Sequence, residues 1–249
     1  MKFLSVIIPA FNEKRNFKRG VLSQVDNYFK DKQYSVEIIV IDDGSTDDTR
    51  KLIENFIRNK KDWKLLNIEH KGKYQAVKEG IKEAQGKLIL FIDFDQSTPI
   101  SEVEKLIPGA EMGFDILIGS REVAGAKREK EPFYRHLMGR GFNLVVRLIV
   151  GLPFKDTQCG FKLFRRETIQ KIIKKIIVAE KRKTVDAYTG AFDVEILYLA
   201  NKMGYKVKEI AVSWQHFKTE RVNPVKDSLR MFLDILRIKL NNLMGSYDK

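Results

Sequence analysis

An open α/β sheet, mostly parallel and covered by helices on both faces, is the fold class that this 249-residue sequence predicts. Three observations predict it. Short β-branched runs alternate with longer amphipathic stretches through the first half of the chain. Pairs of acidic residues close two of those runs, at the carboxyl ends of strands where ligands of such sheets gather. A content of 43% hydrophobic and 10% aromatic residues suffices for a packed core.

The strand-like runs are Leu4–Ile8, Val36–Ile41, Leu65–Ile68, Lys87–Ile92 and Ile116–Ile118. Between them Lys14–Phe29, Asp47–Asn59, Tyr74–Ala84 and Ser101–Glu111 read as helices, with Asp47 and Ser101 suited to their N-terminal positions. Strands joined by helices run parallel, so the acids of successive strand ends emerge at one edge. After about Arg121 the rhythm changes to a basic loop at Lys127–Glu131, a helix through His136–Val150 and a Pro/Gly turn, followed by the stretch Asp156–Arg166. A basic helix at Glu167–Lys183, a helix at Asp193–Met203, a strand at Tyr205–Val212 and a helix from Pro224 to Met244 complete the pattern. No Pro/Ser/Gly-rich linker divides the chain, which predicts a single domain over 1–249 with halves 1–120 and 121–249.

Charge is distributed unevenly between those halves. Residues 1–120 carry 19 basic and 19 acidic side chains, so the whole formal excess of +13 lies in 121–249. That excludes a uniformly basic polyelectrolyte and predicts a second half built to meet an anion. Nucleic acid is disfavoured as that anion, because the aromatic residues occupy apolar periodic positions instead of interleaving with Lys and Arg. A single cysteine, Cys159, suits a reducing compartment. Met1 runs directly into a strand pattern without a signal-peptide profile, and Arg147 interrupts the best apolar stretch, around Leu144–Leu152. The expected location is therefore cytoplasmic.

Asp93-Phe94-Asp95 directly follows the apolar run Leu88–Ile92, and Gln96-Ser97-Thr98-Pro99 supplies the turn that lets both carboxylates share a site. Hard cations such as Mg²⁺ or Mn²⁺ favour these oxygen ligands and bridge them to a diphosphate. Solvated acids at a strand terminus are the plain alternative for so short a motif. His70, His136 and His216 lack metal-ligand spacing and read as structural. Cys159 has no His partner in view and reads as a packed side chain.

Around the acidic motif stand Val6-Ile7-Ile8-Pro9-Ala10-Phe11-Asn12-Glu13, Val40-Ile41-Asp42-Asp43-Gly44-Ser45-Thr46-Asp47 and Gly72-Lys73. In this order the first half resembles the family-2 glycosyltransferases of GT-A fold. The resemblance implies a donor-nucleotide site formed by Pro9, Ala10, Phe11, Glu13, Ile41, Asp43, Lys73, Asp93, Phe94, Asp95 and Arg221, with the metal on Asp93 and Asp95. Pro9 and Phe11 offer apolar walls to a base and ribose, Glu13 can accept from ribose hydroxyls, and Asp43 from a base N–H. Family members more often carry Tyr where this chain has Phe11, which keeps stacking and removes a hydroxyl. For Asp42, Asp47 and Asp48, turn and capping chemistry is the simpler account.

In the second half, Asp156-Thr157-Gln158-Cys159-Gly160-Phe161-Lys162-Leu163-Phe164 resembles the signature of dolichyl-phosphate glucosyltransferases and their prokaryotic relatives. Gly119-Ser120-Arg121, Arg135-His136-Leu137-Met138, Ala191-Phe192-Asp193-Val194-Glu195 and Val212-Ser213-Trp214 extend the match. It implies an inverting transfer of a hexose to a polyprenyl phosphate. UDP-glucose is the expected donor and GDP-mannose an open alternative, as is a saccharide or cell-envelope polymer as acceptor. Arg121 and Arg135 are assigned to the acceptor phosphate, and Asp93, Asp95 and Arg121 to catalysis. Arg221, where relatives usually carry Lys, is assigned to the donor diphosphate. Asp156 and Gln158 either orient a substrate or fix their own loop, and Asp193 is open in the same way. The last helix sets a narrow polar stripe (Lys226, Arg230, Asp234, Arg237, Asn241) against wide apolar surface. That pattern fits peripheral attachment to the cytoplasmic face of a membrane, a membrane-protein partner or a homo-oligomer.

Overall fold

The computed structural model describes residues 2–129, 133–181, 190–217 and 224–248. Five strands and five helices alternate through the first half: β1 (Leu4–Ala10), α1 (Lys14–Lys18), α2 (Val21–Lys30), β2 (Val36–Asp43), α3 (Thr49–Ile57), β3 (Trp63–Ile68), α4 (Lys73–Glu83), β4 (Leu88–Ile92), α5 (Val103–Glu111) and β5 (Ile116–Ser120). The second half adds β6 (Lys127–Glu129), α6 (Phe133–Val150), β7 (Phe161–Arg165), α7 (Arg166–Ile173), α8 (Phe192–Lys202), β8 (Val207–Ala211), β9 (Ser213–Gln215) and α9 (Pro224–Leu243).

Seven strands form one sheet in the order β3-β2-β1-β4-β7-β5-β8, and β6 pairs with β9 in a separate two-stranded ribbon. Every pairing in the large sheet is parallel except those of β7, which runs antiparallel to β4 and β5. Strands β1, β2, β4 and β5 are buried along their whole length. Their alternating side chains feed two cores, one on each face. Ile7, Ile39, Ile41, Ile89 and Phe91 join α4, α7 and α8 on one side. Val6, Ile8, Ile38, Val40, Leu90 and Ile92 join α2, α3 and α5 on the other.

The departures from expectation have local causes. The predicted helix Lys14–Phe29 breaks in two at Gly20, whose φ of +76° suits glycine and ends the first segment. Strand β2 runs on through Asp42 and Asp43, held by Ala10, Asn67 and Ile68. The basic helix ends at Ile173, well short of Lys183. Beyond it the amide N–H groups of Ile177, Val178 and Ala179 donate to the Glu195 carboxylate, which replaces helical carbonyls as their acceptor. The predicted basic loop contains β6, and β7 emerges from the stretch left without an assigned element.

Strand β7 matters most for the site. Being antiparallel, it enters the sheet at the edge where its neighbours leave it, with Phe161 beside Ile92 and Lys162 between Phe91 and Ile118. Gly160 and Lys162 of the second half are thereby brought to the carboxyl ends of β4 and β5.

Candidate active site

The carboxyl edge of β1, β2 and β4 carries the first-half motifs. Beyond β1 and β4, Asn12 and Gln96 adopt left-handed backbone conformations, each with φ 54°, which asparagine tolerates and glutamine adopts less often. Asn12 is held there by its own contacts. Its N–H donates to Ser45 Oγ at 2.9 Å, and its Oδ1 accepts from the Thr46 N–H at 2.8 Å. The Glu13 N–H donates to Thr49 Oγ1 at 2.7 Å, and Glu13 Oε2 accepts from Asn16. The ends of β1 and β2 are thus tied together.

Asp43 is buried and anchors the loop before α4. Its Oδ1 accepts from the Lys71 N–H at 2.8 Å, and its Oδ2 from the Gly72 N–H at 2.9 Å and faces His70 Nδ1 at 2.9 Å. Burial raises the Asp43 pKa against the opposing pull of these partners. His70 in turn stacks on Phe11, with ring centroids 4.0 Å apart and planes 10° from parallel. Its Nε2 is buried without a hydrogen-bond partner among the described residues. Gly44 packs against the His70 backbone, where a Cβ on residue 44 would fall 2.7 Å from the His70 main-chain nitrogen. His70, read from sequence as structural, therefore backs the Phe11 ring. No spacing rule would have found it, because the link to Asp43 spans 27 residues.

Ala10 and Ile41 are 1% and 0% exposed, and Phe94 is 3% exposed with its ring in the core. These three expected donor-site residues are buried in the cores behind the edge.

Asp93 and Asp95 both reach the edge. Asp93 Oδ1 accepts from Lys73 Nζ at 2.5 Å, and the Asp93 N–H donates to the Gly160 carbonyl at 3.0 Å. A Cβ on residue 160 would lie 1.9 Å from Asp93 Oδ2, so any larger residue there would displace that carboxylate. Asp95 Oδ1 accepts from the Ser97 N–H at 2.9 Å. Burial, then the negative charge of Asp93, raises the Asp95 pKa. Beside them Gln96 Oε1 is buried with no partner among the described residues. The donor set is hard oxygen, which fits Mg²⁺ or Mn²⁺. Among the described residues no three His, Cys, Asp or Glu side chains converge as metal ligands. A metal here needs oxygens from another source, such as a diphosphate.

The second-half residues at this edge are paired among themselves. Arg121 forks onto Asp156, with Nε to Oδ2 at 2.7 Å and Nη2 to Oδ1 at 2.9 Å, and its backbone N–H adds a third bond at 2.9 Å. Arg121 also lies 5.3 Å from the Trp214 ring centroid. Burial alone would raise the Asp156 pKa, but Arg121 outweighs it and holds the carboxyl at about 2. Asp156 Oδ1 also accepts from the Gln158 N–H of its own loop at 3.2 Å. Lys162, fully buried, donates to Asp193 Oδ1 and to the Cys159 carbonyl, both at 2.5 Å. Gln158 contacts Met231 of α9. Burial pushes the Cys159 thiol up to about 11, so it is unreactive near neutral pH. Arg221 and the side chain of Arg135 lie outside the described residues.

Residues 5–173 match the family model of glycosyl transferase family 2. The chain belongs to that family. It is a glycosyltransferase, and its sheet is the GT-A fold expected from the motifs. A dolichyl-phosphate beta-glucosyltransferase of Dictyostelium discoideum is 36% identical over 257 residues, covering 98% of this chain and 76% of that protein. The Homo sapiens protein of the same name is 31% identical over 265 residues, covering 99% and 78%. Among solved structures, glucosyl-3-phosphoglycerate synthase of Mycobacterium tuberculosis, in complex with Mn²⁺, UDP and glucosyl-3-phosphoglycerate, superposes with TM-score 0.63 at 18% identity, covering 98% of this chain and 80% of that one. At that identity the likeness concerns the fold.

Proposed function

We propose that this glycosyltransferase moves glucose from UDP-glucose to a polyprenyl phosphate, dolichyl or undecaprenyl, with inversion at the anomeric carbon. The observation that carries the choice of acceptor is the state of Asp156 and Asp193. A sugar hydroxyl needs a general base, and both candidate acids are engaged in ion pairs, with Arg121 at 2.7 Å and Lys162 at 2.5 Å. A phosphate monoester needs none, since its second proton leaves near pH ~6 and its oxygen attacks as an anion once positioned. The names carried by the relatives agree with this acceptor.

Asp93 and Asp95 would hold a Mg²⁺ or Mn²⁺ ion, whose chemistry is to neutralise the departing diphosphate. Phe11, backed by His70, offers the base a stacking surface, and Glu13 with the locked Asn12 turn faces the ribose. Arg121, with Arg135, is our candidate for the acceptor phosphate, Arg121 acting while still braced by Asp156. Arg221 is assigned to the donor diphosphate.

Among the described residues no helix is long and apolar enough to cross a membrane. Helices α6 and α9 pack together and expose Leu144, Leu148, Leu229, Leu233 and Leu240. We assign this surface, with the basic excess of the second half, to peripheral contact with the cytoplasmic face of an anionic membrane.

Incubation with a short-chain polyprenyl phosphate, Mg²⁺ or Mn²⁺ and a panel of nucleotide sugars tests the reading. Glucosyl transfer from UDP-glucose is expected. Transfer from GDP-mannose alone would redirect the donor assignment, and no transfer from any donor would remove the proposal.

A further inference from the structure

We propose that Lys73 is a built-in counter-cation for Asp93, which keeps a divalent metal off this carboxylate until the donor diphosphate draws the ammonium away, so that metal and nucleotide bind as one cooperative unit. The inference rests on the donor and metal reading given above.

Lys73 opens α4 at the rim of the site, and its ammonium sits 2.5 Å from Asp93 Oδ1 and 5.3 Å from the Phe91 ring centroid. The pair is partly open to the groove, with side chains 26% and 34% exposed. The other oxygen of Asp93 faces Gly160 so closely that a Cβ there would displace it. One carboxylate oxygen therefore meets a cation and the other meets backbone. A divalent ion bound to Asp93 would stand within a few ångström of the ammonium, and like charges so near each other repel strongly.

Departure of Lys73 requires a new acceptor. Asp193 is already paired with Lys162 at 2.5 Å. A phosphate entering beside Asp93 meets both needs at once. It accepts the ammonium, and it supplies ligand oxygens that the described residues do not provide, since no third acidic, His or Cys side chain joins Asp93 and Asp95. Metal alone must displace Lys73 without compensation, whereas metal with diphosphate does not. Linkage makes this coupling reciprocal, so Mn²⁺ tightens nucleotide binding by the same factor.

The experiment is Mn²⁺ binding to the full chain, followed by the electron paramagnetic resonance signal of free Mn²⁺ with and without UDP. Wild type is expected to bind Mn²⁺ weakly alone and roughly tenfold or more tightly with UDP. In Lys73→Met the metal alone binds roughly tenfold tighter than in wild type, and the gain from UDP shrinks. Lys73→Arg retains the wild-type pattern. Lys73→Gln repeats the test with a polar side chain if the methionine variant does not fold. Mn²⁺ affinity without nucleotide that is no higher in either neutral variant overturns the inference and leaves the metal reading intact. Absence of UDP-dependent Mn²⁺ binding in wild type overturns both.

Discussion

The two sides of the site handle charge in opposite ways. On the β1–β2–β4 side, Lys73 covers one oxygen of Asp93, backbone N–H groups hold Asp43 and Asp95, and some polar atoms remain unsatisfied: Gln96 Oε1 and His70 Nε2 are buried without partners among the described residues. Asp95 is pushed toward protonation by burial and by Asp93. On the β5–β7 side, Arg121 and Lys162 are each matched to a buried acid. The electrically neutral half of the sequence thus carries an edge where a partly exposed ammonium meets Asp93 and Asp95 is disfavoured as an ion, and the basic half carries pairs built on buried acids. Unfavourable electrostatics in a free site are a common mark of binding and catalysis, and matched buried pairs are a mark of architecture.

Substitutions can break this contrast. The largest effect on turnover is expected from Asp95→Asn, a loss of about 10²–10³-fold in glycosyl transfer, in the range for removing one electrostatic contact to the reacting centre. Because ionised Asp95 is disfavoured in the folded state, the same variant should melt at an unchanged or higher temperature. A lower melting temperature with retained turnover would move Asp95 to the architectural side.

Asp156→Asn should behave in the opposite manner. It leaves Arg121 without its carboxylate in a site where Asp156 is fully buried, and breaking such a pair costs about 3–5 kcal/mol, read by urea denaturation. The pH dependence has a defined sign. The folded pKa, about 2, lies below the ordinary 3.8. The stabilisation is therefore fully present above the ordinary value and is lost as pH falls from about 4 toward 2. Wild type should lose stability in that window, and Asp156→Asn should lack this component. An equal acid slope in both would show that the Arg121–Asp156 pair does not carry it.

A smaller effect sharpens the first side. Phe11→Ala removes the ring stacked on His70 and should weaken UDP binding by about 1–3 kcal/mol, the usual value of a base on an aromatic ring. A shift in UDP affinity measured by calorimetry reports it. Unchanged affinity would place the base elsewhere on the edge.

The gathering of the acidic motifs at one sheet edge was legible because it depends on residues adjacent in the chain. Asp93 and Asp95 follow an apolar run, and the turn residues after them announce that both acids face one place. The Pro9–Glu13 and Asp42–Asp47 segments are likewise strand ends read from periodicity. The contacts of Lys73, His70, Gly160 and Lys162 were not legible in this way. Each is defined by a partner 20–31 residues or more away in sequence: Lys73 with Asp93, His70 with Asp43, and Lys162 with Asp193. Glu195 shows the same effect on secondary structure, ending a basic helix by offering its carboxylate to three amides that the local pattern assigns to helix.

Sequence alone determined the alternation of elements, the edge at which the acids emerge and the confinement of excess charge to the second half, because these depend on side-chain period and on residues adjacent in the chain. Tertiary structure decided which charges are neutralised. The deciding element is β7, a strand of five residues whose apolar stretch gives no sign of its direction. Entering antiparallel between β4 and β5, it sets Gly160 against Asp93 and Lys162 against Asp193, and an ion pair between distant segments exists only once the sheet has brought them together.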